Sequence, residues 1–361
     1  MTITVGNSPR TAEPVAALRA ERNAVLTDVE QVVGTLLDGE RARWRYDAGR
    51  ALGLVDGIGD LCAAGGKRLR PAFCVSGFLA AGGRPGAPGL TELAASLELL
   101  HVSALIHDDV IDEADTRRGR PALHTAQSRQ HRAAGWRGDS GHFGESAAIL
   151  AGDLALVYAG RLLARTAPEV REAWADLSSE MLVGQYLDVA VAAEYDADPD
   201  TSRWVAVCKS GRYSIHRPLS IGALLAGRRD LEPAFEVYGR ALGEAFQLRD
   251  DLIDAFGDDE SAGKPTGLDF EQHKMTLLLA LAIRRDARVR ALVLPRAGGI
   301  DRADADELRA LLVDSGVRAE VEGRIDDLVA RALDALERSP LDAGWRRELT
   351  AMAYEVAYRD R

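Results

Sequence analysis

Six aspartates form two identical D-D-x-x-D triads, and each triad follows an apolar stretch with helical periodicity. The first triad is Asp108, Asp109 and Asp112, and the second is Asp250, Asp251 and Asp254. Residues i and i+4 of an α-helix share a face, so each triad projects one carboxylate pair one turn apart. Such like-charge pairs cost about 0.2–0.5 kcal/mol each, and a divalent cation would remove that cost. Magnesium prefers oxygen ligands and substrate phosphates, which makes it the predicted metal for the pairs Asp108/Asp112 and Asp250/Asp254.

Two other interpretations of these acidic residues stay open at this point. An isolated acidic triad is often only a solvated helix end, although two copies after apolar helices speak against that. His107 and Asp108 also form the HD pair that is typical of phosphohydrolases. That kind of site needs further His and Asp ligands on neighbouring helices, and His101 and His124 are the only nearby histidine candidates.

Basic clusters accompany both triads. The stretch "GGKRLRP" offers three cations after two glycines that let the backbone approach a ligand closely. Other candidates are Arg117 and Arg118 after the first triad, Lys209 with Ser210 in "CKSGRYS", and Lys264 and Lys274 after the second triad. Arginine forks and lysine point charges both match phosphate oxygens. Together, the acidic and basic clusters predict a site for two diphosphates, one held through metals and one held directly by side chains.

The bulk composition restricts the class of protein. The net charge of −11 argues against nucleic acid as the main partner, yet residues 116–138 contain six arginines and no acid. This dense basic segment suggests a localised anion site. Three cysteines without CxxC spacing indicate neither a disulfide framework nor a zinc knuckle. Because we find neither a signal peptide nor a run that approaches a transmembrane span, we expect a soluble cytoplasmic protein.

Apolar residues recur at helical spacing almost throughout, as in "LTELAASLELLHVSALI" and "YGRALGEAFQLRDDLIDAF". Alternating β-branched runs are nearly absent, so the sequence predicts an all-α protein with about ten or more helices. None of the Gly- and Pro-rich breaks is a long linker. We therefore predict a single domain from residue 16 to 361, preceded by a disordered segment of residues 1–15 and with polar amphipathic helices from Asp301 onward as a peripheral layer.

This set of motifs resembles the trans-isoprenyl diphosphate synthase (polyprenyl synthetase) family of isoprenoid biosynthesis, and most closely the actinobacterial geranylgeranyl diphosphate synthases. The matching stretches run in family order from residue 65 to about 275: "GGKRLRP", "LELLHVSALIHDDVIDEADTRRGRP", "GQYLD", "KSGRYS", "FQLRDDLIDAFGD" and "GK…G.D…HK". The resemblance implies an all-α bundle around a deep central cavity, usually in a homodimer. It also implies a prenyltransferase that condenses isopentenyl diphosphate with an allylic diphosphate.

The resemblance assigns roles to individual residues. The two triads would bind magnesium, expected as three ions per active site, that grips the allylic diphosphate. That diphosphate would also contact Arg117, Lys209, Lys264 and Lys274, whereas isopentenyl diphosphate would be held by Lys67, Arg70, His101 and Arg118. Gln185 and Gln247 match polar residues that line the cavity. The chain departs mildly from the family pattern at Ser210, where threonine is common, and at His273, where glycine is common.

Product length depends on the residues upstream of Asp108. Residues one turn before it, Ser103 and Ala104, are small, whereas relatives limited to fifteen carbons often carry aromatic rings there. One helical turn of about 5.4 Å is comparable to one isoprene unit, so Leu100 or a neighbouring helix could stop growth near twenty carbons. We therefore expect geranylgeranyl diphosphate, with a longer or a farnesyl product as alternatives. A class I terpene cyclase and a non-catalytic partner subunit are less consistent with two intact triads and an intact "GGKRLRP".

Overall fold

The computed structural model describes residues 9–46, 48–194, 196–257, 267–271, 274–294 and 302–359, and these are almost entirely helical, which confirms the predicted all-α fold. The first helices are α1 (Pro9–Trp44), α2 (Leu52–Ala63), α3 (Leu69–Ala80), α4 (Leu90–Ile111), α5 (Leu123–Ala133), α6 (Ser140–Leu162), α7 (Pro168–Glu194) and α8 (Pro199–Ala206). A π-helix (Val207–His216) leads into α9 (Arg217–Leu225) and α10 (Glu232–Phe256). The remaining helices are α11 (Leu268–Glu271), α12 (Leu277–Arg285), α13 (Ala287–Val293), α14 (Arg302–Asp314), α15 (Val317–Glu337) and α16 (Ala343–Ala357).

Shorter elements connect some of these helices. Two 3₁₀ turns span Gly49–Ala51 and Arg229–Leu231. Strands β1 (Thr116–Arg117) and β2 (Arg120–Pro121) form an antiparallel hairpin between α4 and α5, with Thr116 opposite Pro121. This hairpin follows the first triad directly and therefore holds the arginines of "TRRGRP" close to it.

Helix α4 lies in the middle of the core because it is apolar on nearly every side. Its residues from Leu90 to Leu100 are buried almost without interruption. It packs mainly against α6, which runs antiparallel to it: Gly89 at the start of α4 lies beside Thr166, and His107 near its end lies against Gly152. The helix ends at Ile111, so the first triad is at one end of the bundle.

Helix α10 carries the second triad and packs against α15 and the π-helix. Gly243 and Gly211 face each other across the π-helix contact, where a Cβ on Gly211 would lie 2.8 Å from the carbonyl carbon of Gly243. Glu244 is buried and accepts hydrogen bonds from Arg203 of α8 at 2.8 Å and from Arg324 of α15 at 3.0 Å. The C-terminal helices therefore support α10 rather than forming only a peripheral layer.

One continuous apolar core extends from Val25 of α1 to Ala357 of α16. It supports the single domain predicted for residues 16–361, which stays a prediction. Helix α1 begins at Pro9, inside the segment expected to be disordered, and residues 1–8 lie outside the described residues. By length and composition alone, α6 could cross a membrane, and 44% of its most apolar window is buried within the bundle. Core helices of soluble proteins meet the same criterion.

Candidate functional site

The first triad lies at the C-terminal end of α4, where positively charged side chains contact it. Asp108 and Asp109 lie in the last turn, and Asp112 is the C-cap residue. Arg117 of β1 donates from Nε to Oδ1 of the buried Asp109 at 2.7 Å, and its Nη2 lies 3.5 Å from Oδ2 of Asp108. The hairpin therefore brings Arg117 to the triad, as the position of "TRRGRP" predicts.

Lys209 of the π-helix also contacts Asp108, and it pairs with Asp188 of α7. Its Nζ lies 2.6 Å from Oδ2 of Asp188 and 3.5 Å from Oδ1 of Asp108. Gln185, one turn before Asp188 on α7, donates to Oδ1 of Asp108 at 3.1 Å. The close approach of α7 requires Gly184, where a Cβ would lie 2.7 Å from the backbone nitrogen of Lys209. Sequence reasoning gave Asp188 no role, although it lies in the matched motif "GQYLD".

The second triad occupies the last two turns of α10. Asp251 and Asp254 are both buried. Gln247 donates to Oδ1 of Asp251 at 2.8 Å, which places this predicted cavity residue one turn before the triad. The backbone nitrogen of Asp269 donates to Oδ2 of Asp254 at 3.1 Å, so the start of α11 is fixed against the triad.

Lys274 connects the two triads. Its Nζ donates to Oδ2 of Asp112 at 2.6 Å and lies 3.9 Å from Oδ1 of Asp269. Because Asp269 is itself bonded to Asp254, a short chain of contacts joins one triad to the other. Asp269 is a second residue that the sequence reasoning missed, and its only signal was the "G.D" of the matched motif. Lys264, predicted for the same diphosphate, lies outside the described residues.

The surroundings separate the acidities of the first three carboxyl groups. Burial disfavours the ionised form of Asp108, but Lys209, Lys274 and Arg117 outweigh it and hold the pKa of Asp108 below its usual value. Burial raises the pKa of Asp109 against the opposing charge of Arg117. Burial and the neighbouring charge of Asp108 raise the pKa of Asp112, with Lys274 opposing them. Asp108 is therefore the most strongly acidic group of the first triad.

Asp251 of the second triad has a raised pKa, in contrast to Asp108. Burial raises its pKa well above the usual value, and the like charges of Asp269, Asp250 and Asp254 add to this, with the hydrogen bond from Gln247 as the opposing influence. A divalent cation at this position would relieve both the burial cost and the repulsion. The donor set of both triads, carboxylate oxygens in like-charged groups, therefore fits magnesium.

We expect the raised pKa of Asp251 to make the free energy of unfolding of the metal-free protein depend on pH. A carboxyl whose folded pKa exceeds its unfolded value stabilises the fold fully below the unfolded pKa, and this contribution is lost as the pH rises through the folded pKa. We compare Asp251→Asn with wild type in the presence of a metal chelator. Its free energy of unfolding, relative to that of wild type, should increase as the pH rises from 5 to 8, by at most about 1.4 kcal/mol per pH unit. Thermal unfolding followed by circular dichroism checks this. A constant offset between Asp251→Asn and wild type over this pH range would contradict the assignment.

The C-terminal end of the described chain also reaches the second triad. Nη2 of Arg359 lies 2.6 Å from Oδ1 of Asp250, and its guanidinium stacks over the ring of Phe246 at 4.2 Å. Arg249 donates to the carbonyl oxygen of Ala357 at 2.8 Å, which fixes the end of α16 on α10. Sequence reasoning gave Arg359 no role, because no local pattern connects it with a triad 109 residues earlier.

Arg118 and Arg68 hold the "GGKRLRP" loop in place. Both have left-handed backbone conformations, with φ of 53° and 46°. Arg118 donates to the carbonyl oxygen of Gly65, and Arg68 donates to that of Cys62 at 2.6 Å. Arg68 also pairs with the buried carboxylate of Glu98 on α4. Arg118 thus braces the loop that carries the exposed Lys67. Arg68, one of the three cations predicted in this loop, positions the loop together with Glu98, which sequence reasoning missed.

Arg70 and His101 form a second polar cluster around Tyr213. The Arg70 guanidinium lies 4.2 Å from the Tyr213 ring centre, and the His101 ring centre lies 6.3 Å from it. Nε of Arg70 and Nδ1 of His101 are buried without a hydrogen-bond partner among the described residues. Burial and the surrounding arginines hold the pKa of His101 well below its usual value, so its imidazole is neutral near pH 7. Both groups have bonding capacity left for an anionic ligand.

His107 faces α6 rather than the carboxylates of the first triad. Its Nε2 lies 3.1 Å from the carbonyl oxygen of Ile149 and 3.6 Å from Oδ1 of Asp153. His124 contacts the hydroxyl of Thr125. Among the described residues, no group of three or more His, Cys, Asp or Glu side chains is arranged to hold a metal alone. This disfavours the phosphohydrolase interpretation, whereas magnesium shared with substrate phosphates needs no such cage.

The residues proposed to limit chain length differ in burial. Ser103 and Leu100 are almost completely buried, whereas Ala104 keeps partial exposure. Ala104 lies one turn before Asp108 and on the same face of α4. Ser210, next to Lys209, is also partly exposed.

Comparisons with known proteins find similarity to one family. The model of the family described as "Polyprenyl synthetase" matches residues 54–313. A short chain isoprenyl diphosphate synthase from Methanothermobacter thermautotrophicus is 36% identical over 231 residues, which are 62% of this chain and just under two thirds (65%) of that protein. A nonaprenyl diphosphate synthase from Mycobacterium tuberculosis is 32% identical over 305 residues, or 83% of this chain and 84% of that protein.

A solved structure is similar over almost the whole chain. It is a geranylgeranyl pyrophosphate synthase from Corynebacterium glutamicum, complexed with isoprenyl diphosphate and magnesium. The TM-score is 0.86 at 35% identity, and the match covers 93% of this chain and 99% of the other.

Proposed function

Because this chain belongs to the polyprenyl synthetase family and is a prenyltransferase, we propose that it joins isopentenyl diphosphate to allylic diphosphates and releases mainly geranylgeranyl diphosphate. The observation that carries the reaction is the connection of two aspartate triads through Lys274 and Asp269. Carboxylates and cations alternate between the two triads. A diphosphate with bound magnesium needs both, because the carboxylates bind the metal and the cations bind the phosphate oxygens. No metal carboxylate is missing, which disfavours a non-catalytic subunit.

The allylic diphosphate lies between the triads in this proposal. Asp108 and Asp112 on one side, and Asp250, Asp251 and Asp254 on the other, would hold magnesium, with three ions as the expected number. When bound there, magnesium would neutralise the charge that develops on the leaving diphosphate. Lys209, Lys274 and Arg117 already lie within contact distance of the first triad, and they exchange carboxylate partners for phosphate oxygens when substrate enters. Lys264 is proposed for the same diphosphate from its motif alone.

Isopentenyl diphosphate occupies the second anion site. Arg70 and His101 contribute buried nitrogens that have no hydrogen-bond partner among the described residues. Lys67 of the "GGKRLRP" loop and Arg118 of the hairpin contribute positive charge. Neutral His101 donates one hydrogen bond without a change of protonation. Arginine pairs with phosphate through two parallel hydrogen bonds, so Arg70 also fixes the orientation of the nucleophile.

Ionisation breaks the allylic C–O bond, and both bonding electrons leave with the diphosphate. The double bond of isopentenyl diphosphate then attacks the carbocation, and the resulting cation loses a proton to the released diphosphate. The dipoles of Gln185 and Gln247, which contact Asp108 and Asp251, stabilise positive charge in this proposal. Ser210, next to Lys209, is proposed for the same role, and an apolar cavity would exclude water. The product is again an allylic diphosphate, longer by five carbons, so the cycle can repeat.

Product length is the finer part of the proposal. Ala104 is the partly exposed small residue one turn before Asp108, with Ser103 beside it and Leu100 a further turn down. Small side chains admit a tail beyond fifteen carbons, and Leu100 then limits it near twenty. The relatives include geranylfarnesyl and octaprenyl diphosphate synthases as well, so a product of twenty-five carbons or more is the second candidate.

The direct test incubates the purified protein with magnesium, labelled isopentenyl diphosphate and each allylic primer in turn. We expect condensation with every primer shorter than the final product and a main dephosphorylated product of twenty carbons on reversed-phase chromatography. Chelation of magnesium should abolish incorporation. Absence of condensation with any primer would contradict the proposed reaction, and a fifteen-carbon limit would contradict the proposed product.

A homodimer is proposed from the exposed apolar faces of α6 and α7. Leu150 and Val157 on α6 and Leu182, Val183 and Tyr186 on α7 are at least half exposed, which is unusual for a monomer surface.

The three cysteines, Cys62, Cys74 and Cys208, are free and buried, which agrees with the cytoplasmic location proposed from the composition.

We expect Leu150→Glu combined with Val183→Glu to halve the mass measured by sedimentation velocity, because buried unpaired charges destabilise an apolar interface. The matched control is Val313→Glu on α14, where the native side chain is 51% exposed, close to the 52% of Val183. The control should sediment as wild type. A wild-type protein that sediments as a monomer at micromolar concentration would contradict the dimer.

A further inference from the structure

The turn between α5 and α6 presents an exposed tryptophan in a fixed position. Gly135 and Gly138 bracket the turn with φ of 62° and 92°, a conformation that favours glycine. The Trp136 ring packs edge-on against His131 and Phe143, with ring centres 5.8 and 5.3 Å away. Even so, Trp136 is 47% exposed. A large apolar side chain is therefore held rigidly while half of it faces solvent.

Three exposed arginines of the dense basic segment lie within seven residues of this tryptophan in the sequence. None of the three forms an ion pair with a described residue, and Arg132 donates only to the hydroxyl of Ser140 at 3.0 Å. Asp139 is the one acid between residues 116 and 144, and its carboxylate is used to cap the N-terminus of α6. Positive charge is therefore concentrated here in a chain of net charge −11. We call this surface the basic tip: Arg129, Arg132, Trp136 and Arg137.

The basic tip projects beyond the aspartate end of the bundle. Because α6 runs antiparallel to α4, its N-terminal half extends past the end of α4 that carries Asp108. Gly152 lies against His107 at the level of the first triad. Ser140 is twelve residues further along α6, which corresponds to about 18 Å. Helix α4 itself ends at Ile111, four residues after His107, so the basic tip projects past the end of α4 that carries the first triad.

We propose that the basic tip docks this enzyme on lipid bilayers that contain anionic phospholipids. Unpaired arginines attract an anionic leaflet, and tryptophan is favoured at the boundary between headgroups and acyl chains. A nucleic acid would also attract the arginines, but the bulk of the chain is acidic and would repel an extended polyanion. Delivery of an apolar product to the bilayer gives the docking a purpose. That purpose rests on the proposed function, whereas the docking itself does not.

The test is cosedimentation of the full-length protein, without substrate, with two kinds of vesicle. We expect binding to phosphatidylcholine mixed with phosphatidylglycerol, no binding to phosphatidylcholine alone, and loss of binding as salt is added. Replacing Arg129, Arg132 and Arg137 together by alanine should weaken the partition about a hundredfold, at roughly fivefold for each arginine. Trp136→Ala should weaken it further at fixed salt.

The matched control replaces three exposed arginines elsewhere, Arg84, Arg331 and Arg347, by alanine. It makes the same change in net charge and should bind vesicles as wild type does. Failure of the wild type to bind anionic vesicles would overturn the proposal, as would equal losses in both triple variants. Tighter binding to double-stranded DNA than to mixed vesicles would overturn it as well. A separate assay of condensation activity, carried out in detergent without vesicles, distinguishes the proposed function from the proposed docking. A protein that binds vesicles but catalyses no condensation would contradict only the proposed function.

Discussion

Replacing Asp108 by asparagine is expected to lower the condensation rate by about a thousandfold or more, with the helical circular dichroism unchanged. Asp108 is contacted by Arg117, Lys209 and Gln185, and asparagine keeps its size while removing the charge that we propose binds magnesium. Loss of a single preorganised electrostatic contact costs about a hundred- to a thousandfold in rate, and weakened metal binding adds to this. Initial rates over a wide range of magnesium concentration measure the effect.

Glu113→Gln provides the matched control, because it removes the same charge from an exposed residue next to the triad. Its rate should stay close to that of wild type. Wild-type turnover in Asp108→Asn would refute the assignment of the first triad to magnesium. A comparable loss in both variants would instead assign the effect to the general charge of this region.

Replacing Ala104 by phenylalanine is expected to shift the main product from twenty to fifteen carbons. Ala104 lies one turn from Asp108 on the same face, and an aromatic ring there occupies about the length of one isoprene unit, which is comparable to the 5.4 Å of a helical turn. Ser103→Phe should act in the same direction, at a greater cost in stability because Ser103 is buried. Chromatography of the dephosphorylated products measures the shift.

Ala104→Ser, which hardly changes the volume, should leave the product length unchanged. Leu100→Ala should lengthen the product, and because Leu100 is buried it should also lower the free energy of unfolding by about 2–5 kcal/mol. Thermal unfolding separates the two effects. Unchanged products in both Ala104→Phe and Leu100→Ala would place the end of the tail against other residues.

The sequence by itself determined the all-α fold and the two carboxylate pairs. Both depend on local periodicity, because residues i and i+4 share a face wherever a helix forms. Arg117 is also close to its triad along the chain, and a short hairpin leaves it few other places to lie. The remaining cations, such as Lys209 and Lys274, were candidates from their basic clusters, and the family resemblance assigned them to a diphosphate. The structure brings both to the first triad.

Only the tertiary structure decided which groups neutralise those charges. Asp188 pairs with Lys209, Asp269 lies between Lys274 and Asp254, and Arg359 covers Asp250 from the end of the chain. Such contacts join segments far apart in sequence, and their geometry depends on how whole helices cross rather than on any repeat. The same is true of Ala104 and Ser103, which are adjacent in the chain but differ in burial because α4 turns one of them away from its neighbours. Helical periodicity fixes which residues share a face, whereas the packing of the bundle fixes what that face meets.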